Sequence, residues 1–141
     1  MSFNPFFHTD ALRAEVTALV KQQYADNAIT DTVLPGRSVL NPDELPGTLV
    51  FLDGLTIEEA MDRDDSKVKC QVVITLFFAA TATNPDKQMD TRSKLIWAGL
   101  DGHKLACTRQ PLRGQDFEYE VDPDSGLIST KIIFTTTILG A

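Results

Sequence analysis

From Lys67 to Ala80, in the run KVKCQVVITLFFAA, apolar and polar positions alternate with a period of two. Val68, Cys70, Val72, Ile74, Leu76 and Phe78 fall on one side, and Lys67, Lys69, Gln71, Val73, Thr75 and Phe77 on the other. That period belongs to a strand. The first side is wholly apolar, which predicts a surface against the core. The second turns from charged to apolar toward Phe77, which predicts cover at that end. The run reads as the central strand of a sheet.

The remaining patterns supply its neighbours. Leu12, Val16, Leu19, Val20 and Tyr24 recur at three- and four-residue spacing, which predicts an amphipathic helix of about four turns packed on a sheet. Thr9 or Asp10 is its expected cap. Thr32–Leu34 and Ser38–Leu40 flank a Pro35-Gly36 turn signal and form either a short hairpin or a bent edge strand. Asn41-Pro42-Asp43-Glu44 reads as a turn, and Thr48–Asp53, after Leu45-Pro46, as a short strand. Gly54–Asp65 reads as a loop or irregular edge, with room for one helical turn at Ile57–Met61. Asn84 as cap, Pro85 at the first helical position and Asp86 at the positive end of the dipole begin a second helix. Met89, Ser93, Ile96 and Leu100 line its inner face, Trp97 widens it, and Gly99 and Gly102 mark its end.

After a basic connection, His103–Arg113, the pattern returns to a period of two. Phe117, Tyr119 and Val121 alternate with Asp116, Glu118 and Glu120. Asp122-Pro123-Asp124-Ser125-Gly126 is a tight-turn sequence. Leu127–Leu139 then places Ile128, Ile132, Phe134 and Ile138 on one face. These two strands make a hairpin. The order predicts an α+β domain: a single domain with a mostly antiparallel or mixed sheet and two helices packed on one face. Residues 1–8, with Phe3, Phe6 and Phe7 around Pro5, form an N-terminal arm, and residues 9–141 the domain.

Composition narrows the function. The chain has 141 residues, a net charge of -7 and a pI near 4.7. Such a balance argues against nucleic-acid binding through a basic face and against docking on anionic lipid. The most apolar run, Val72–Ala80, is too short to span a bilayer. No basic leader precedes an apolar segment at the N-terminus, and two cysteines make no disulfide framework, so a cytosolic, reduced setting is expected. Charge is uneven. Asp43, Glu44, Asp53, Glu58, Glu59, Asp62, Asp64 and Asp65 cluster against Arg63 alone, whereas Arg92, Lys94, Lys104, Arg109 and Arg113 face only Asp101 between residues 92 and 113. The two regions read either as solvated surfaces or as halves of a head-to-tail contact between copies.

Catalytic chemistry is sparse. His8 and His103 stand in no metal-binding spacing, and there is no nucleophile elbow, phosphate loop or dinucleotide fingerprint. Cys70 alternates with core residues and reads as a small buried hydrophobe. Cys107 lies near His103 and Arg109, which would lower its pKa, yet without an orienting third group it reads as a loop cysteine. Asp62, Asp64 and Asp65 have the carboxylate density of a hard-cation site but lack the glycine and closing glutamate of a calcium loop. No catalytic residue, metal or cofactor is therefore expected. Asp86 reads as a first-turn helix residue or as an exposed contact for another protein.

Several features in order resemble a known family. They are the N-terminal helix, Pro35-Gly36-Arg37 within Leu34–Leu40, and the strand entry Asp43-Glu44-Leu45-Pro46. The acidic loop before Lys67, the long strand ending at Phe77-Phe78 and the Pro85-Asp86 helix start follow. The last is the hairpin from Phe117-Glu118-Tyr119 through Asp124-Ser125-Gly126-Leu127. In these the chain resembles the tail terminator proteins of long-tailed phages, the family of the lambda minor tail protein U. The resemblance implies a structural virion protein of a phage or prophage and no enzyme. It implies a homo-oligomeric, hexameric ring that caps the tail tube, ends elongation and presents the head-joining surface. The implied partners are further copies, the tail tube protein and a head-completion protein, in a tail assembled in the bacterial host cytoplasm. Neither sequence recognition of nucleic acid nor a membrane is implied. On this reading Glu58, Glu59, Asp62, Asp64, Asp65, Asp86, Arg109 and Arg113 are candidate interface residues. The alternatives are another head- or tail-completion subunit, or a small ligand-binding domain, which needs a polar cluster within the apolar face.

Overall fold

A computed structural model describes residues 5–37, 39–58, 67–122 and 124–139 of the chain. Helix α1 spans Thr9–Asp26 and α2 spans Pro85–Leu100; the strands are β1 Thr32–Pro35, β2 Gly47–Glu58, β3 Lys67–Ala79, β4 Arg113–Asp122 and β5 Leu127–Leu139. They form one sheet in the order β1-β2-β3-β5-β4. β1 runs parallel to β2, and every other pairing is antiparallel. Both helices lie on one face, α1 over β1 and β2, and α2 over β5 and β3 with only a margin reaching β4. This is the expected α+β architecture with a mixed sheet.

The alternation in β3 sets the layers. Val68, Cys70, Val72, Ile74, Leu76 and Phe78 are all buried beneath the helices. Cross-strand register brings Thr48, Val50 and Leu52 of β2 and Thr130, Ile132, Phe134, Thr136 and Ile138 of β5 to the same face. Leu12, Val16, Val20 and Tyr24 of α1 and Met89, Ile96 and Leu100 of α2 close on it. Each such side chain contributes about 1.5–3 kcal/mol by leaving water. The buried Tyr24 hydroxyl shares a 2.8 Å hydrogen bond with the Thr48 hydroxyl, and burial holds its pKa well above the ordinary phenol value.

An ion pair joins α2 to the segment before β1. The Arg92 guanidinium donates to both carboxylate oxygens of Asp31, at 2.6 and 3.0 Å, with the two side chains only 13% and 6% exposed. The guanidinium also lies 5.3 Å from the centre of the Phe78 ring. Donating these hydrogen bonds to the Asp31 carboxylate raises the Arg92 pKa.

No helix covers the other face of the sheet, yet Leu49, Val73 and Thr75 are buried there. Arg37 stacks 4.6 Å from the Phe51 ring and bonds Asp53 at 2.9 Å. Val39 and Leu40 border Phe77 and Leu127, and Leu40 abuts Gly47. The expected cover at the Phe77 end is therefore the connection between β1 and β2.

Some local expectations are sharpened and others are corrected. Thr32–Leu34 belongs to an edge strand, β1, rather than a hairpin, and its partner is the parallel β2. Asn41–Glu44 holds a 3-10 turn, Pro42–Glu44, closed by the Asn41 N–H donating to Glu44 Oε1 at 2.9 Å. The strand expected at Thr48–Asp53 runs on to Glu58, replacing the expected loop or helical turn at its start. A bulge between Leu52 and Leu55, with Gly54 at φ +151°, lets pairing resume at Cys70 and Val68. The rest of that acidic segment, 59–66, lies outside the described residues, as do residues 1–4 of the arm. Neither helix uses its expected side-chain cap. The Thr9 hydroxyl donates to the Phe6 carbonyl at 2.9 Å, Asp10 pairs with Arg13 at 2.9 Å, and Asn84 adopts left-handed geometry at φ 49° with no side-chain cap bond. Pro85 and Asp86 hold their expected places in the first turn.

Removing one partner of the buried pair leaves a desolvated charge. Asp31→Ala is expected to lose about 3–5 kcal/mol of unfolding free energy in urea titration, and Asp31→Leu with Arg92→Met to recover most of it. A second test concerns Gly114, where a Cβ would strike the Trp97 ring. Gly114→Ala is expected to cost about 1–3 kcal/mol and to shift Trp97 fluorescence to longer wavelength.

Candidate assembly surface

Among the described residues no three His, Cys, Asp or Glu side chains gather in a metal-holding group. Neither described helix is long and apolar enough to cross a membrane. Cys70 is buried in β3, as its alternation predicts, and burial pushes its thiol up to about 11. Cys107 is half-buried against the core. The expected depression of its pKa by His103 and Arg109 does not occur. Burial and then the Glu15 carboxylate push the thiol up to about 11, while Glu15 Oε2 accepts the neighbouring Ala106 N–H at 3.1 Å.

The charged candidates lie at two ends of the sheet. Glu58 ends β2 opposite Lys67, the first residue of β3. Glu59, Asp62, Asp64 and Asp65 fall outside the described residues. Arg109 is exposed at the same end, its N–H donating to the Thr137 carbonyl at 2.8 Å, and exposed Arg113 opens β4 opposite Thr135. Asp86 is exposed at the opposite end, where α2 begins. Arg92 leaves the expected basic region altogether, because Asp31, distant in sequence, neutralises it inside the fold.

A second surface was not foreseen from sequence. β4 pairs only with β5, and all its residues except Gly114 are exposed. Its acidic positions face away from the helices. Phe117, Tyr119 and Val121 face the helix side, opposite Ile132, Thr130 and Ile128, and remain 57%, 58% and 72% exposed. α2 stops short of them and leaves a groove of about 420 Å³. Trp97, Phe117, Tyr119 and Ile132 make its apolar walls and floor, with Asp90 and Lys94 at the rim. The Tyr119 hydroxyl donates to Asp90 Oδ1 at 3.1 Å, and that bond raises its pKa. Ser93 Oγ, buried in the lining, finds no hydrogen-bond partner among the described residues.

Trp97 is held at the closed end of the groove. It packs 5.4 Å from Phe134 and over Gly114, whose N–H donates to Asp101 Oδ1 at 2.9 Å. The period-two pattern of β4 is the same as that of a buried strand, so alternation alone did not reveal the exposure. Width does: two adjacent helices cover about 20 Å and five strands about 24 Å, so an outer strand is left over. For Cys107, the neutral thiol predicts alkylation at pH 8 at least about tenfold slower than an unstructured cysteine. Glu15→Gln is expected to speed it, as read by mass spectrometry of the labelled chain.

Scanned against protein-family models and against curated proteins, the chain matches none. Among solved structures it is similar in fold to a chain of the virion of a native gene transfer agent particle. The two are 20% identical with a TM-score of 0.59, over 88% of this chain and 94% of that one.

Proposed function

We propose that this chain is a structural protein of a phage-like virion. Within that role we infer that it closes the tail tube as a ring of identical copies, six by the family resemblance. The ring ends tail elongation and offers the head its joining surface. The observation that carries the reading is the fold likeness to a virion chain, which extends over nearly the whole of both chains. The sequence features shared with tail terminators select the tail-end role within that class.

The assembly reading gives the charged candidates a task. Asp86 stands at one end of the sheet, and Glu58, Arg109 and Arg113 at the other. A head-to-tail contact between copies, or contacts to tube and head proteins on opposite sides, would use both ends. Glu59, Asp62, Asp64 and Asp65 extend the acidic set in sequence. Charge steers and orients such contacts more than it tightens them, so the effects should depend on salt.

Light scattering and negative-stain images of the purified chain are expected to show rings of six. Arg109→Glu with Arg113→Glu is expected to weaken them about tenfold at low salt. In a particle lacking this chain, the expected products are overlong tails without heads. Tails of normal length without heads would move the assignment to a head-completion subunit.

A further inference from the structure

We propose that the groove between α2 and β4 is the socket for the N-terminal arm, residues 1–8, of a second copy. The proposal rests on the oligomer reading above and names the contact that would build it. The groove has the size of clefts that enclose small ligands, and its lining is mostly aromatic and aliphatic. A contiguous apolar surface of this kind marks an interaction site. The arm is its counterpart. Three of its first seven residues are phenylalanines, and Phe6 and Phe7 are 64% and 60% exposed on their own copy. The lining of the groove includes none of the described arm residues, 5–8, of the same chain. α1, where the arm joins the domain, lies over β1 and β2, across the sheet from β4. Residues 5–8 turn into α1, where the Thr9 hydroxyl donates to the Phe6 carbonyl at 2.9 Å; docking elsewhere needs that turn to open, after which eight extended residues reach about 26–29 Å.

Charge does not oppose this occupant. Asp90 and Lys94 lie at the rim with opposite signs. The free edge of β4 is flanked by Asp116, Glu118, Glu120 and Asp122. Pairing this edge with the same edge of another copy would align two acidic rows, which opposes a symmetric dimer. The arm, MSFNPFFH, has no acidic side chain. An extended segment also brings backbone N–H and C=O groups within a groove where Ser93 Oγ has no partner among the described residues. Arm and socket occupy different places on one copy, so the contact is heterologous and propagates from copy to copy until a ring closes.

Trp97 is the one tryptophan of the chain and lines the groove, so its fluorescence reports occupancy. The chain lacking residues 1–7 is titrated to millimolar concentration with a peptide of residues 1–8. The expected result is a saturable shift of Trp97 emission to shorter wavelength. A peptide with Phe3, Phe6 and Phe7 replaced by serine should bind at least about tenfold more weakly. The Phe117→Asp, Tyr119→Asp variant should lose the response; both positions are exposed, and circular dichroism checks that it folds. Light scattering of the full chain judges the ring separately. Unchanged Trp97 emission, or an equal response to the serine peptide, overturns the socket while a ring seen by scattering still stands. Undiminished assembly of the chain lacking residues 1–7 overturns it as well. Peptide docking with a full chain that stays monomeric would place the arm in its own groove and overturn docking by a second copy.

Discussion

The pairing of β3 on both sides is the constraint on which the domain depends. β3 is hydrogen-bonded to β2 and to β5 along nearly its whole length. Strand side chains alternate strictly, so one register fixes which residues of three strands share the helix face. A slip of one residue would turn Val68, Cys70, Val72, Ile74, Leu76 and Phe78 outward together. The helices then have only one apolar surface to dock on. Arg92 fixes how α2 lies on that surface, by reaching over Phe78 to Asp31 at the end of the preceding connection.

The elements that could be read in the sequence are those whose burial is complete. β3, β5 and the inner faces of α1 and α2 show a clean period because each inner position meets the core. The hairpin was legible through its turn: Asp122 Oδ1 accepts the Asp124 N–H at 3.0 Å, and Gly126 takes φ +68°. What failed were properties that depend on distant residues. β1 pairs in parallel with a strand whose position local pattern does not reveal. The bulge at Leu52–Leu55 let β2 continue through a segment whose acidic composition resembled a loop. Of the candidate site, Asp86, Arg109 and Arg113 are exposed, which a solvated surface and an interface share. Arg92 departs from the sequence reading, because its partner lies outside the local window. The groove was hidden because exposed Phe117 and Tyr119 follow the same alternation as buried Phe134 and Ile132.

The groove follows from how two helices share a five-stranded sheet. α1 takes the β1–β2 side, and α2 settles where Met89, Ile96 and Leu100 can bury completely. That position leaves Trp97 half-covered at its flank and β4 without a roof. Exposed aromatic area on an edge strand is unfavourable for an isolated molecule and favours one that meets another. The acidic residues on the opposite face of β4 keep the strand in water without covering its aromatic side. The arrangement that buries the core side of α2 thus also leaves the aromatic face of β4 exposed.

The far edge of the sheet has a different character. β1 has four residues, ends at Pro35, and is followed by Gly36 at φ +82°, where the chain turns away. A proline has no N–H to offer an incoming strand, and an edge this short gives little purchase. One margin of the sheet is thus blunted while the other stays open. The molecule has a built-in direction: it can be extended laterally in one sense and resists extension in the other. Runaway growth of a sheet from copy to copy needs two receptive edges, and this domain offers only one.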